Sequence, residues 1–138
     1  MKLTDVTLNI AKVDEGEWRD VPGDEDNLRF FLCGRRSRAY QDAQNKAVFR
    51  AQRTLGRKRQ DLMKAMRVID NECVAEHCLL GWENFLDGKG KPIPYSAEFA
   101  KELMTQRKYE PFQEIVKDLV DQIDAGYDDA EEEVVEKS

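Results

Sequence analysis

The sequence predicts a mainly α, α+β protein: a helical domain carrying a small N-terminal antiparallel β-sheet and ending in a disordered acidic tail. Three observations lead there. From Tyr40 onward apolar residues recur at helical spacing. The first 34 residues alternate instead and hold short aromatic runs. After Tyr127 six of the eleven remaining residues are acidic and none is aromatic. At 138 residues this is one domain, residues 1–126, plus a tail, 127–138. Within the domain, 1–34 is expected to be sheet and 35–126 helices.

Each element has its own signal. Val6, Leu8 and Ile10 alternate with Thr7 and Asn9, which suits a half-buried strand within residues 3–13. Asp14 to Glu17 reads as a turn, Trp18 to Val21 as a short strand, and Pro22 to Asp26 as a loop. Leu28 to Cys33 is expected to pair back on Trp18 to Val21. Tyr40, Ala43, Ala47, Ala51 and Leu55 then mark a helix that Gly56 ends or weakens. Leu62, Met66, Ile69, Cys73, His77 and Leu80 mark a second helix ending near Gly81. Phe99, Leu103 and Met104 mark a short one from Ala97. Pro111 starts the last, with Phe112, Ile115, Val116, Leu119 and Ile123 on its apolar stripe up to Gly126.

Trp82 to Ser96 is the densest punctuation in the chain. Trp82 is expected to anchor the end of a helix, followed by Asp87-Gly88 and a stiff Pro92-Ile93-Pro94 run. Gly88 and Gly90 are expected to take backbone angles that other residues avoid. Ser96 is placed to cap the helix from Ala97. The whole reads as a rigid corner between two helices.

Composition excludes several classes. Charged residues make up 36% of the chain, and mean hydropathy is −0.72. No apolar run approaches the ~18 residues of a membrane span, and the start lacks the apolar core of a signal peptide. Three scattered cysteines argue for reduced thiols, so a cytoplasmic protein is expected. Cys73 and His77 share a helix face as zinc ligands can, but Cys78 points elsewhere and Cys33 would have to complete the set, so no metal or cofactor is expected. A single histidine and no carboxylate in an apolar setting leave no evident catalytic group; the chain reads as non-enzymatic.

The net charge of −6 conceals an asymmetry. Gly34 to Arg67 carries +9, with eleven basic residues against Asp42 and Asp61; Glu110 to the end carries −9. Such a chain invites attraction within one molecule or between copies. The basic region could instead track a phosphate backbone, giving a small nucleic-acid-binding regulator that uses Arg35–Arg67. A pI near 4.9 and arginines on all sides of the helix speak against it.

The ordered set Trp82, Asp87-Gly88, Pro92, Pro94-Tyr95-Ser96, then Glu98, Leu103 and a last amphipathic helix, resembles the tail assembly chaperones of long, flexible-tailed bacteriophages. The likeness is most specific from Val74 to Ile123. It implies a protein that binds the tape-measure protein, keeps it soluble and extended, and helps recruit tail-tube subunits. It further implies a role in the host cytoplasm and absence from the mature virion. A longer form of the chain made by frameshifting near Glu131 to Ser138 is implied as well. The family has no catalytic residues to carry over. On chemical grounds Trp82, Phe85, Tyr95, Phe112, Ile115 and Leu119 are the expected partner contacts, although a pair such as Trp82 and Phe85 is more usually core in a helical domain. Arg57, Lys58 and Arg59 are the expected contacts of a head-to-tail homo-oligomer.

Overall fold

Leu3–Glu15 is helical (α1), not the expected strand. In the computed structural model residues 2–56 and 58–137 are described, without the side chains of 5, 6, 8, 9 and 128–137. The alternation of Val6, Leu8 and Ile10 also satisfies a helical stripe through Leu3, Val6, Ile10 and Val13. Thirteen residues without glycine or proline are too long for an ordinary strand, and length decides between the two periods. Val13 at the end of α1 is fully buried, and α1 lies against the last helix. Gly16 stops it at φ 96°, where an added Cβ would sit 2.8 Å from the Phe31 ring. Only glycine meets both demands.

The sheet has three strands in the order β1-β2-β3: Glu17–Asp20, Arg29–Leu32 and Leu79–Glu83, antiparallel throughout. The pairing of the first two follows the sequence. The third corrects it, because Leu79 to Glu83 leaves the helical pattern and Trp82 sits on a strand rather than at a helix end. The sheet is therefore not confined to residues 1–34. In central β2, Phe30 and Leu32 turn into the core while Arg29 and Phe31 face outward. Outside, Phe31 pairs across from Trp18 on one side and from Gly81 on the other, and the two rings lie 5.4 Å apart. Gly81 leaves the space that lets Phe31 and Trp18 lie over β3.

The remaining helices are α2 (Arg38–Leu55), α3 (Arg59–His77), α4 (Ala97–Thr105) and α5 (Glu110–Lys137), with a 3-10 turn at Arg107–Tyr109. Ser37 caps α2 by accepting from the Tyr40 N–H, and Ser96 caps α4 by accepting from that of Phe99 (3.1 Å). Gly56 ends α2 and Pro111 lies in the first turn of α5, as expected. The backbone of α5 stays helical past Gly126, where a stop is expected. A lone glycine costs a helix only ~1 kcal/mol, which the charged and apolar residues around it can offset. The expected disordered tail falls on residues whose side chains lie outside the described set.

One core joins these parts. Val74, Cys78, Leu79, Leu103, Met104, Val116 and Val120 are buried with Phe30 and Leu32 under the sheet. The fold is a three-stranded sheet covered on one face by α4, α5 and the end of α3, with the distal parts of α2 and α3 projecting from it.

Candidate functional site

Two regions stand out once the elements are in place: a tightly built root at Gly34–Tyr40, and the helical hairpin that grows from it. At the root, Asp124 of α5 accepts from the backbone N–H groups of Arg35 (3.1 Å) and Arg36 (2.9 Å). Arg35 forks onto Asp70 of α3 through Nε (2.8 Å) and Nη2 (3.1 Å), and its Nη1 donates to Asp121. The Tyr40 hydroxyl donates to the same Asp70 at 2.5 Å, and Lys117 stands 3.8 Å away. Burial alone would raise the Asp70 carboxyl. The hydrogen bonds from Arg35 and Tyr40 and the charges of Arg35 and Lys117 outweigh it and hold the group below its usual value. Asp124 goes the other way: burial raises it although the backbone donors oppose. Gly34 has no room for a side chain, since a Cβ would collide with the Asp124 carboxylate and crowd Val13.

These contacts give part of the charge asymmetry an internal role. The first cations of the +9 segment are used inside the molecule: Arg35 on Asp70 and Asp121, Arg36 over the Tyr127 ring at 5.7 Å. Opposite net charge in the two segments signals that they meet; it does not say which acid meets which base.

The hairpin of α2 and α3 is different. From Gln41 to Glu72 no described residue is buried. Ala43, Ala47 and Ala51 let α2 approach α3 closely, and Leu62, Ala65 and Ile69 are half-buried opposite them. Between the helices opens an apolar cleft of about 610 Å³, with Ala47, Ala51, Leu55, Ala65, Val68 and Ile69 among its lining residues and Arg50 and Lys64 on its rim. In the lining Val68 is 54% exposed and Leu55 37%; Met63 (64%), Phe49 (61%) and Met66 (41%) are exposed on other faces of the same helices. Among the described residues neither Arg50 nor Lys64 has a carboxylate within 4 Å.

The expected partner contacts are placed unevenly. Trp82 is only 6% exposed. Its ring packs edge-on against Phe85 (5.3 Å), Tyr95 (4.8 Å) and Phe99 (6.1 Å), and its Nε1 donates to the Ile93 carbonyl (2.8 Å). Phe85 stacks on Phe112, which meets Phe30 edge-on. The Tyr95 hydroxyl donates to the Leu79 carbonyl (2.9 Å). The Trp82–Ser96 corner is thus the clamp that joins strand β3 to α4. Asp87 closes it by accepting from the backbone N–H groups of Lys89 and Lys91, and Gly90 alone of its two glycines has a positive φ, 79°. Gly88 has no such angle, which corrects the expectation. Leu119 is in the core, and of the six only Ile115 is exposed, at 40%.

Lys58 and Arg59 sit exposed at the hairpin turn, and Arg57 lies outside the described residues. Cys33, Cys73 and Cys78 are free, buried thiols. Burial pushes all three up, Cys33 to about 11 with help from Asp14. Among the described residues no group of three or more histidine, cysteine or acidic side chains is placed to hold a metal ion, and no helix is long and apolar enough to cross a membrane.

A family model described as YdaY prophage protein matches residues 35–137, from the root through the hairpin, β3, α4 and α5. The chain belongs to the YdaY prophage protein family. No curated protein and no solved structure matches it. Membership makes the chain phage-derived, in keeping with the bacteriophage reading of the sequence. The match begins at Arg35, the residue that ties the hairpin root to α5. The YdaY region therefore holds every element of both the clamp and the hairpin, and leaves out only α1, β1 and β2.

Proposed function

We propose that this YdaY-family chain is a non-catalytic phage assembly chaperone that holds the tape-measure protein soluble and extended until tail-tube subunits displace it. The observation that carries the reading is the projecting hairpin, whose apolar side chains and cations are left uncovered by the chain's own fold. A holdase needs such a surface, because a long helical client binds by laying its apolar face into a groove. Its stabilisation of the soluble form follows from mass action. Phage origin and the Trp82–Ser96 pattern favour a tail client. The reading includes action in the host cytoplasm, absence from the finished virion, assembly into homo-oligomers and a longer frameshifted form.

The test is an affinity pull-down of the full chain from cells making the phage structural proteins. Recovery of a very long helical protein together with a tail-tube subunit is the expected result. Recovery of neither overturns the reading. The second reading, a nucleic-acid-binding regulator, is favoured by one observation: Arg53 lies 5.9 Å over the exposed Phe49 ring, beside Arg50. Bound nucleic acid would raise the 260/280 nm absorbance ratio at low salt and leave at high salt.

A further inference from the structure

We propose that the cleft between α2 and α3 is the docking site for an acidic amphipathic helix of a partner protein. The inference rests on the holding function above and names the chemistry the held segment must have.

Three features of the cleft select that occupant. Its lining is aliphatic and shallow: Ala47, Ala51 and Ala65 leave room for another helix to approach, while Leu55, Val68 and Ile69 give it apolar area to cover. A phosphate backbone would gain nothing from that lining. Its rim is positive, with Arg50 and Lys64 unpaired among the described residues and only Asp61 of opposite sign in the lining. Acidic residues flanking an apolar stripe meet those cations as the stripe enters the cleft. Finally, Val68 in the lining is 54% exposed and Leu55 37%, so the chain's own fold leaves that apolar area open.

Length fits as well. Ala47 to Leu55 spans just over two turns, ~12 Å of helix, so two to three turns of the partner fill the cleft. A second copy docking hairpin to hairpin would set like charges together, which costs rather than gains. The chain's own acids Asp121 and Asp124 are held by Arg35 and the adjoining backbone at the root and do not cover the cleft.

The test uses the full-length chain and three synthetic peptides of about 18 residues, or five turns. One has a Leu/Ala stripe flanked by Glu, one has Lys in place of each Glu, and one is a scramble of the first. Fluorescence anisotropy should show the acidic helix binding at least tenfold tighter than the others, with affinity falling as salt rises. Arg50→Glu with Lys64→Glu should lose at least tenfold for the acidic peptide and gain for the basic one. Val68→Asp should weaken both. These sites are exposed, and unchanged circular dichroism confirms the fold of each variant.

Equal binding of the acidic and scrambled peptides overturns the proposal. So does displacement by a dT oligonucleotide at equal concentration. Self-association of the wild type that the Arg50/Lys64 reversal abolishes would assign the cleft to a second copy and overturn it too. The peptide assay and the pull-down fail separately. Capture of a tail client with no acidic-helix preference sinks only this inference, whereas acidic-helix binding with no tail client sinks only the proposed function.

Discussion

Replacing Arg35 with alanine tests whether the root is what holds the hairpin to the domain. The guanidinium and the Asp70 carboxylate are each 23% exposed at the side chain, so their fork is screened only in part. A hydrogen bond to a charged group contributes ~1.5–3 kcal/mol, and breaking a fully buried ion pair costs ~3–5 kcal/mol. Asp70 keeps Tyr40 and Lys117 as partners, which places the loss at the lower end, about 2–3 kcal/mol. For a chain of this length that is a fall in Tm of roughly 6–12 °C, read by circular dichroism at 222 nm.

The effect has a sign in pH. Asp70 is held below its ordinary value, so its contribution is complete above the unfolded value near 4 and is lost as pH falls through the folded one. The gap between wild type and Arg35→Ala should therefore be full at pH 7 and narrow below about pH 4. Asp124, raised by burial, contributes in the opposite sense, present at low pH and lost as pH rises. An Asp70→Asn background separates the two. A change in Tm under ~2 °C at pH 7, or a gap that does not narrow in acid, would refute the reasoning.

Other consequences can be checked in the same way. Trp82→Ala should cost about 3–5 kcal/mol in chemical denaturation, because it empties the centre of a four-ring cluster and strands the Ile93 carbonyl; a loss under ~1 kcal/mol would mean the corner is not part of the core. Gly34→Ala should cost about 1–3 kcal/mol through its collision with Asp124, whereas Gly88→Ala, which meets open space at an ordinary φ, should be neutral or slightly stabilising. Ser96→Ala should lose about 1 kcal/mol of stability through its cap on α4. At pH 8 the three buried thiols should react with Ellman's reagent far more slowly in the folded chain than in denaturant, since burial keeps them protonated; rapid folded-state labelling of all three would contradict their burial.

Sequence alone determined the helices whose stripes exclude other periods, α2 and α5 in particular, together with the Ser96 cap, the β1–β2 pairing and the separation of charge. It did so because those features depend on neighbours a few residues apart. It misjudged residues 3–13, where one set of apolar positions fits both periods and the unbroken length of the run decides for the helix that then packs against α5. It missed β3 for a related reason. Leu79 to Glu83 continues the apolar content of α3, and what turns it into a strand is the open edge of β2, some fifty residues earlier in the chain. The acids that answer Arg35 were hidden likewise, since Asp70 and Asp121 lie far from it in sequence. Trp82 was the side chain more usually core, and the fold buries it; Leu119, expected as a partner contact, is buried too, and Tyr95 is half-buried against Leu79. The hairpin is the converse case. Its alanines and leucines look like core in sequence, and tertiary structure leaves them only half-buried or exposed, because α2 packs chiefly against α3.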